Sequence, residues 1–358
     1  MRSIVVSDLH CGDPYGCDLV RYDWAREPLL DLMEGADRLI LLGDTWELSF
    51  QNLTVALQAS RPFFDAVDRR CPGITVLILP GNHDHHLVVQ GADERRERRA
   101  LQLPDRDEFL VGPAERILKR LCPSVRVRSA YPFFTDEAGI CYHHGHYLSG
   151  HLTDSLGWQT MDRLQWWIWR QPRRQDNLTA ADYESLIAPL HELCYQVAQL
   201  PDGVRAQKEL ERTLSRLASI AGLPSKLTRR AGSTFRSLMR REEGNLAPTA
   251  SELHVAANRM LDAIGRVAEN LRLHEAADQL VFGHTHTPLL DGRHDRWPHW
   301  RFHNSGSFFY DYRVSGMPDY WQRYWPGSAL EIVDDHVSLH KLIDEARLKD
   351  FRPSQPDS

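Results

Sequence analysis

Short apolar runs and longer amphipathic stretches alternate along the first 150 residues of the chain. Ile4–Ser7, Arg38–Leu42 and Ile74–Leu79 are aliphatic and flanked by polar or turn-forming residues, the length and composition of buried strands. The stretches near Pro28–Glu34 and Leu53–Arg69 carry helical spacing between them. This alternation predicts a sheet covered by helices. Residues 91–120 are dense in charge of both signs and read as a solvated helix or loop. Another strand is expected at Gly139–Tyr142. From 151 to about 277 the strand signal disappears, and helices separated by Pro172, Pro201, Pro224 and Pro248 are expected instead. Strand character returns at Gln279–Phe282 and Trp300–His303. Ala329–Val333 and Val337–Leu342, joined by Asp334-Asp335-His336, read as a hairpin. The expected organisation is an α/β core made of 1–150 and 278–345, a helical insertion at 151–277, and a polar tail at 346–358.

Composition changes this picture little. Of 358 residues, 42% are apolar and 26% charged, an ordinary balance for a soluble globular protein. A net charge of -6 argues against a protein that coats nucleic acid, while leaving room for a local basic surface. Met1 leads straight into a strand-like run, and no apolar run approaches the ~18 residues of a membrane span. A cytoplasmic location is expected. The six cysteines include no CxxC pair and read as reduced thiols.

The candidate chemistry lies in five short motifs: Asp8-Leu9-His10, Gly43-Asp44, Gly81-Asn82-His83-Asp84, His144-Gly145-His146 and Gly283-His284-Thr285-His286. Each follows an expected strand. Functional groups converge at the carboxyl ends of strands in open α/β sheets, so distant residues can meet in one cleft. Carboxylate, imidazole and amide oxygen donors without thiolates suit Mn, Fe, Zn or Ni. A carboxylate has two oxygens, and Asp44, on a tight turn after Gly43, is the natural bridge between two ions. Singly each motif is also an ordinary turn or a pair of surface histidines. It is their joint order that carries the signal.

That order resembles the signature of the calcineurin-like metallophosphoesterase superfamily, over residues 1–150 and 278–345. Asn304-Ser305-Gly306-Ser307 is similar to a turn common in those enzymes. The resemblance implies a β-sandwich core flanked by helices, two divalent metal ions, and hydrolysis of phosphoesters by attack of a metal-bridging hydroxide. It implies Asp8, His10 and His286 as ligands of one ion, Asn82, His144 and His284 as ligands of the other, and Asp44 between them. His83 would stand beside the scissile phosphate without binding metal, oriented by Asp84. His146 would act behind the ligands or toward substrate, and Asn304 toward substrate. His85, His86 and His143 match no required position and read as adjacent surface or packing histidines.

Gly43-Asp44-Thr45-Trp46-Glu47 is similar to a motif of the UDP-2,3-diacylglucosamine pyrophosphohydrolase branch, which makes Trp46 a substrate candidate and a nucleotide- or lipid-linked phosphoester or pyrophosphate the expected substrate. The insertion leaves the core just after His146 and returns just before His284, so it is the expected substrate filter. Trp158, Trp166, Trp167 and Trp169 suit either a packing helix or an apolar groove for lipid or a membrane surface. Residues 212–241 hold Arg212, Arg216, Lys226, Arg229, Arg230, Arg236, Arg240 and Arg241 with no acid, either a solvated face or a binding site for anionic partners. The second possibility keeps a nuclease of the same superfamily open. A non-catalytic scaffold would be expected to have lost ligands, and none of the motif positions is missing.

Overall fold

The computed structural model describes residues 1–88, 112–151, 177–220, 250–311, 315 and 324–352. It is an α/β structure with two mixed sheets. The first runs β11-β10-β1-β2-β3-β4, with β1 (Arg2–Val6), β2 (Arg38–Leu42), β3 (Thr75–Leu79) and β4 (Arg126–Ser129) parallel, and β10 (Ser328–Val333) and β11 (His336–Lys341) antiparallel additions. The second runs β5-β6-β7-β9-β8, with β6 (Ile140–His143), β7 (Gln279–Phe282) and β9 (Arg301–Asn304) parallel and β5 (Phe133–Thr135) and β8 (Leu289–Gly292) antiparallel at its edges.

Side-chain alternation explains the layering. Val5, Ile40, Leu42, Leu77 and Leu79 of the first sheet pack with Ile140, Tyr142 and Val281 of the second, an apolar layer between the sheets. Their neighbours Ile4, Val6, Leu39, Leu41, Val76 and Ile78 face the other way, onto helices α1 (Asp23–Met33), α2 (Leu53–Arg70) and α3 (Gly112–Leu121). Both faces of the central strands are therefore apolar, which is why they read as unbroken aliphatic runs. Asn52 caps α2 by accepting from the Val55 amide at 3.0 Å, a contact worth about 1 kcal/mol.

Among the described residues of 151–277 the α-helices are α4 (Ala180–Ala198), α5 (Gly203–Ile220) and α6 (Ala250–Asn270). Pro201 lies between α4 and α5, while Pro189 lies inside α4. Helix α6 belongs to the sandwich rather than above it: Leu261, Ile264, Val267 and Ala268 pack on Leu280, Phe282, Trp300 and Phe302, covering the outer face of the second sheet. The expected tail starts with helix α7 (Glu345–Asp350), whose Leu348 is buried against the first sheet's helical layer. The expected solvated stretch 91–120 ends in the amphipathic α3, with Ala114 and Leu118 buried. The four insertion tryptophans, Lys226 and the arginines from 229 to 241 lie outside the described residues. No described helix is long and apolar enough to cross a membrane.

Candidate metal centre

All five motifs meet at one end of the sandwich, past the carboxyl ends of β1, β2, β3, β6 and β7. The turns that carry them are conformationally unusual. Nine described non-glycine residues have positive φ, and five of these are Asp8, His10, Asp44, His284 and His286. Side chains other than glycine's pay for that region in steric repulsion, so its concentration at the motifs marks a functional constraint. The turns are also knitted together. The Asp8 amide donates to Gly43 O at 3.0 Å, His10 N to Asp44 O at 2.9 Å, Gly283 N to His144 O at 2.8 Å, and His284 N to Asp8 Oδ2 at 2.9 Å. Gly43 and Gly81 are required by space: a Cβ on Gly43 would overlap the His144 ring, and one on Gly81 the Asp44 carboxylate.

Two ligand groups face each other across Asp44. In the first, Asp8, His10 and His286 bring ligand atoms within 4.8 Å of one another. In the second, Asp44, His144 and His284 do the same. Asn82 Oδ1 lies 3.2 Å from His144 Nε2, which adds an amide oxygen to the second group. A single Asp44 oxygen, Oδ2, lies 3.2 Å from His144 Nε2 and 3.9 Å from His10 Nε2.

The tautomers suit metal binding. His144 donates from Nδ1 to Leu42 O at 2.8 Å, and His10 from Nδ1 to Glu47 Oε2 at 2.8 Å, so in each it is Nε2 that faces the carboxylates and would bind metal once deprotonated. Such outer contacts orient ligating imidazoles. His10 and His286 bring their Nε2 atoms within 3.3 Å. Asp8 Oδ1 is buried, makes no hydrogen bond among the described residues, and has His286 Nε2 3.1 Å away. Buried carboxylate and imidazole atoms crowded this closely are what a divalent cation would satisfy in place of shared protons.

Electrostatics agree with that fit. Burial opposes ionisation of Asp8, but His286 and His144 outweigh it and hold the carboxyl down to about 2. Asp44 is held well below the carboxylate range, the nearby His144 and His83 overcoming its burial. Burial, reinforced by His144, lowers His284 to about 3 and keeps its imidazole neutral. For His144 burial acts downward, yet Asp44 raises it to about 9, so a cation would have to displace its proton.

His83 sits beside both groups and forms a third cluster with His10 and Asp44. Its partner differs from expectation. Asp84 does not orient it: Asp84 Oδ1 accepts from Gly81 N at 2.6 Å and Oδ2 from Thr45 N at 2.9 Å, stapling the loops after β2 and β3. Glu47 holds His83 instead, with Oε1 2.6 Å from Nδ1. Burial opposes the charge on His83, but Glu47 and Asp44 prevail and lift it to about 10. Glu47 was within reach of sequence reasoning, three residues after Asp44 in a quoted motif, yet only the turn of the loop reveals that it faces the cluster.

Trp46 and Asn304 are displaced from their expected substrate roles. Trp46 is fully buried, donates from Nε1 to Ser60 Oγ at 3.1 Å and packs near Phe64, a core residue under the loop. Asn304 is buried too; Nδ2 donates to Gly283 O at 2.9 Å and Oδ1 accepts from Gly306 N at 2.8 Å, bracing the turn that presents His284 and His286. His146 is buried with Nε2 3.1 Å from the Tyr131 hydroxyl, behind the ligands.

Two of the remaining histidines, His85 and His86, dock the insertion. His85 Nε2 lies 2.7 Å from Glu184 of α4, whose other oxygen accepts from the Tyr131 and Tyr147 hydroxyls. His86 Nδ1 lies 2.7 Å from Glu192 and its ring stacks on Tyr195 at 3.5 Å. His143 is wholly buried, with Nδ1 accepting from Gly145 N at 2.8 Å. Gln207 of α5 donates to Ser49 O in the loop after Asp44. His191, a residue no motif contains, lies 5.4 Å from the His85 ring and interacts electrostatically with His83, Asp44 and His284. Burial, with those neighbouring rings, holds it well below the usual histidine range.

Compared with known proteins, the chain matches no family model and no curated protein.

Proposed function

We propose that this chain is a dinuclear metal-dependent phosphoesterase. One observation carries the reading: of two adjacent ligand groups, Asp8/His10/His286 and Asp44/His144/His284, the second contains Asp44, whose Oδ2 also lies 3.9 Å from His10 of the first, with His83 alongside. Two divalent ions so held would supply Lewis acidity toward a phosphoryl group and activation of water.

The chain's own residues divide the rest of the work. Asp8, Asp44 and Glu47 are ionised and offset the charge of bound cations. His83 keeps a proton at neutral pH, and with Nδ1 committed to Glu47 its Nε2 is the atom that faces the phosphoryl group. There it stabilises developing negative charge and delivers a proton to the leaving oxygen. Asp84 and Asn304 hold the loops in register. Helix α4, clasping His85 and His86, brings His191 to the same side and shapes what enters. The substrate class proposed is a phosphoester or pyrophosphate in a nucleotide- or lipid-linked molecule, a choice that rests on the motif resemblance around Asp44.

The test is metal analysis combined with hydrolysis. The protein should bind two transition ions per chain and hydrolyse an aryl phosphodiester or monoester only when they are present. A screen across nucleotides, nucleotide diphospho-lipids, phospholipids and nucleic acids then selects the substrate. Absence of hydrolysis with Mn, Co, Ni, Zn and Fe on every ester type would overturn the reading.

A further inference from the structure

At the opposite end of the sandwich a cleft of about 430 Å³ opens between the two sheets, lined by Arg38, Thr75, Leu77, Arg126, Arg128 and Phe134, with Met1 and Asp37 at its margin. Strand register explains why the arginines gather there. Arg38, Thr75 and Arg126 are paired across β2, β3 and β4, and Leu77 and Arg128 pair one row further in. Paired residues in parallel strands share a face, and Leu77 belongs to the apolar layer between the sheets. Arg126 and Arg128 therefore project on the inner side of β4, while Val127 between them packs on the helical side. They remain exposed because β4 and β5 are the outermost strands of their sheets, and the sandwich is open along that edge.

The cleft's charge is incompletely balanced. Arg38 is largely buried, and its Nη1 has no hydrogen-bond partner among the described residues. Its nearest acid is the exposed Glu137, at 3.5 Å. Asp37 accepts from the Arg2 amide at 2.7 Å. Three guanidiniums thus face two acids, one of them already bonded to backbone. Guanidinium groups present paired donors that match phosphate and carboxylate oxygens. Leu77 and Phe134 supply an apolar wall, and the volume lies within the usual range for small-molecule sites.

We propose that this cleft binds a small phosphorylated ligand, its anionic group on Arg126 and Arg128 and its organic body against Leu77 and Phe134. The site is separate from the metal centre. Arg38 opens β2 and Asp44 follows its end, so the strand length of roughly 17 Å lies between them. The alternative use of inward-pointing charge on an edge strand is to keep the edge from pairing with another chain.

Isothermal titration of the full chain at low salt, with a chelator present, decides between them. The probes are AMP, inorganic phosphate and citrate. One AMP should bind in the wild type and in Asp44→Asn, and affinity should fall at least tenfold in Arg126→Gln/Arg128→Gln. The Arg126→Lys/Arg128→Lys variant should fall between, because it keeps charge and loses the fork. Inorganic phosphate binding as tightly as AMP, with the same arginine dependence, supports the site with phosphate itself as the ligand. Binding of citrate alone would overturn the phosphate assignment. No binding of any probe, or AMP binding unaffected by the glutamine pair, would overturn the proposal. Self-association of the glutamine pair by gel filtration, with no anion binding in the wild type, would assign the arginines to guarding the edge.

Discussion

Replacing Glu47 with glutamine removes one charge and one acceptor from the contact that joins His83 to the metal cluster. The carboxylate serves two imidazoles at once, His83 Nδ1 at 2.6 Å and His10 Nδ1 at 2.8 Å. An amide has one acceptor oxygen, and its NH₂ meets an N–H wherever it faces the second ring. One histidine must then rotate or change tautomer. If His10 yields, its Nε2 carries the proton and no longer offers a lone pair, a change that costs about 10–100-fold in metal affinity. If His83 yields, a charge-assisted hydrogen bond worth about 1.5–3 kcal/mol is lost, or roughly 10- to 150-fold in turnover. The pH profile separates these outcomes. His83 acts protonated, so activity falls as pH rises through its pKa, which Glu47 raises against burial and which bound cations would lower. Glu47 is the largest influence raising that value against burial, so the variant's basic limb should move to lower pH. Chelator competition measures metal affinity, and turnover at saturating metal measures the His83 branch. Metal affinity and turnover both within twofold of wild type, with an unmoved basic limb, would refute the reasoning.

Asp44→Asn should lower occupancy of both metal positions by elemental analysis, since the shared oxygen loses its charge; full occupancy would break the ligand assignment. His83→Ala should keep metal content and lower turnover, less for a good leaving group than for a poor one; loss of an ion would make His83 a ligand. His191→Ala should keep metal content and thermal midpoint while lowering turnover or raising KM at least tenfold, and an unchanged kcat and KM would leave the ring a packing element. His303 offers a stability test away from the metals. Burial lowers it to about 4, and its Nδ1 already accepts from Asp291 N, so a proton there faces another donor. Its unfolded value near 6.5 lies above the folded one, so stability is full above that value and falls as pH drops toward 4, by about 3 kcal/mol. Denaturant titrations of His303→Gln should lack that loss; equal acid sensitivity in both proteins would refute it.

Local pattern determined much of the central framework. β1, β2, β3, β6 and β7 are buried and largely apolar on both faces, so their runs stand out, and their motif residues follow within a few positions, where a strand end can only deliver them to one rim. Pro201 likewise marked the break between α4 and α5. The edge strands β4, β5 and β8 escaped notice because they are short and carry Arg, Ser, Thr or Asp on faces that no second layer covers. Partner choice was decided only in three dimensions. Asp84 is adjacent to His83, yet its oxygens are taken by the Gly81 and Thr45 amides, while Glu47 arrives from another strand's loop. Trp46 turned inward to Ser60, and Asn304 toward the Gly283 turn, because a side chain's direction depends on loop dihedrals that residue type does not specify. The apolar spacing of Leu261, Ile264 and Ala268 was compatible with any buried helix. That α6 covers the second sheet, and that α4 brings His191 toward the metal loops, follows from packing between segments far apart in the chain, which periodicity within one segment does not encode.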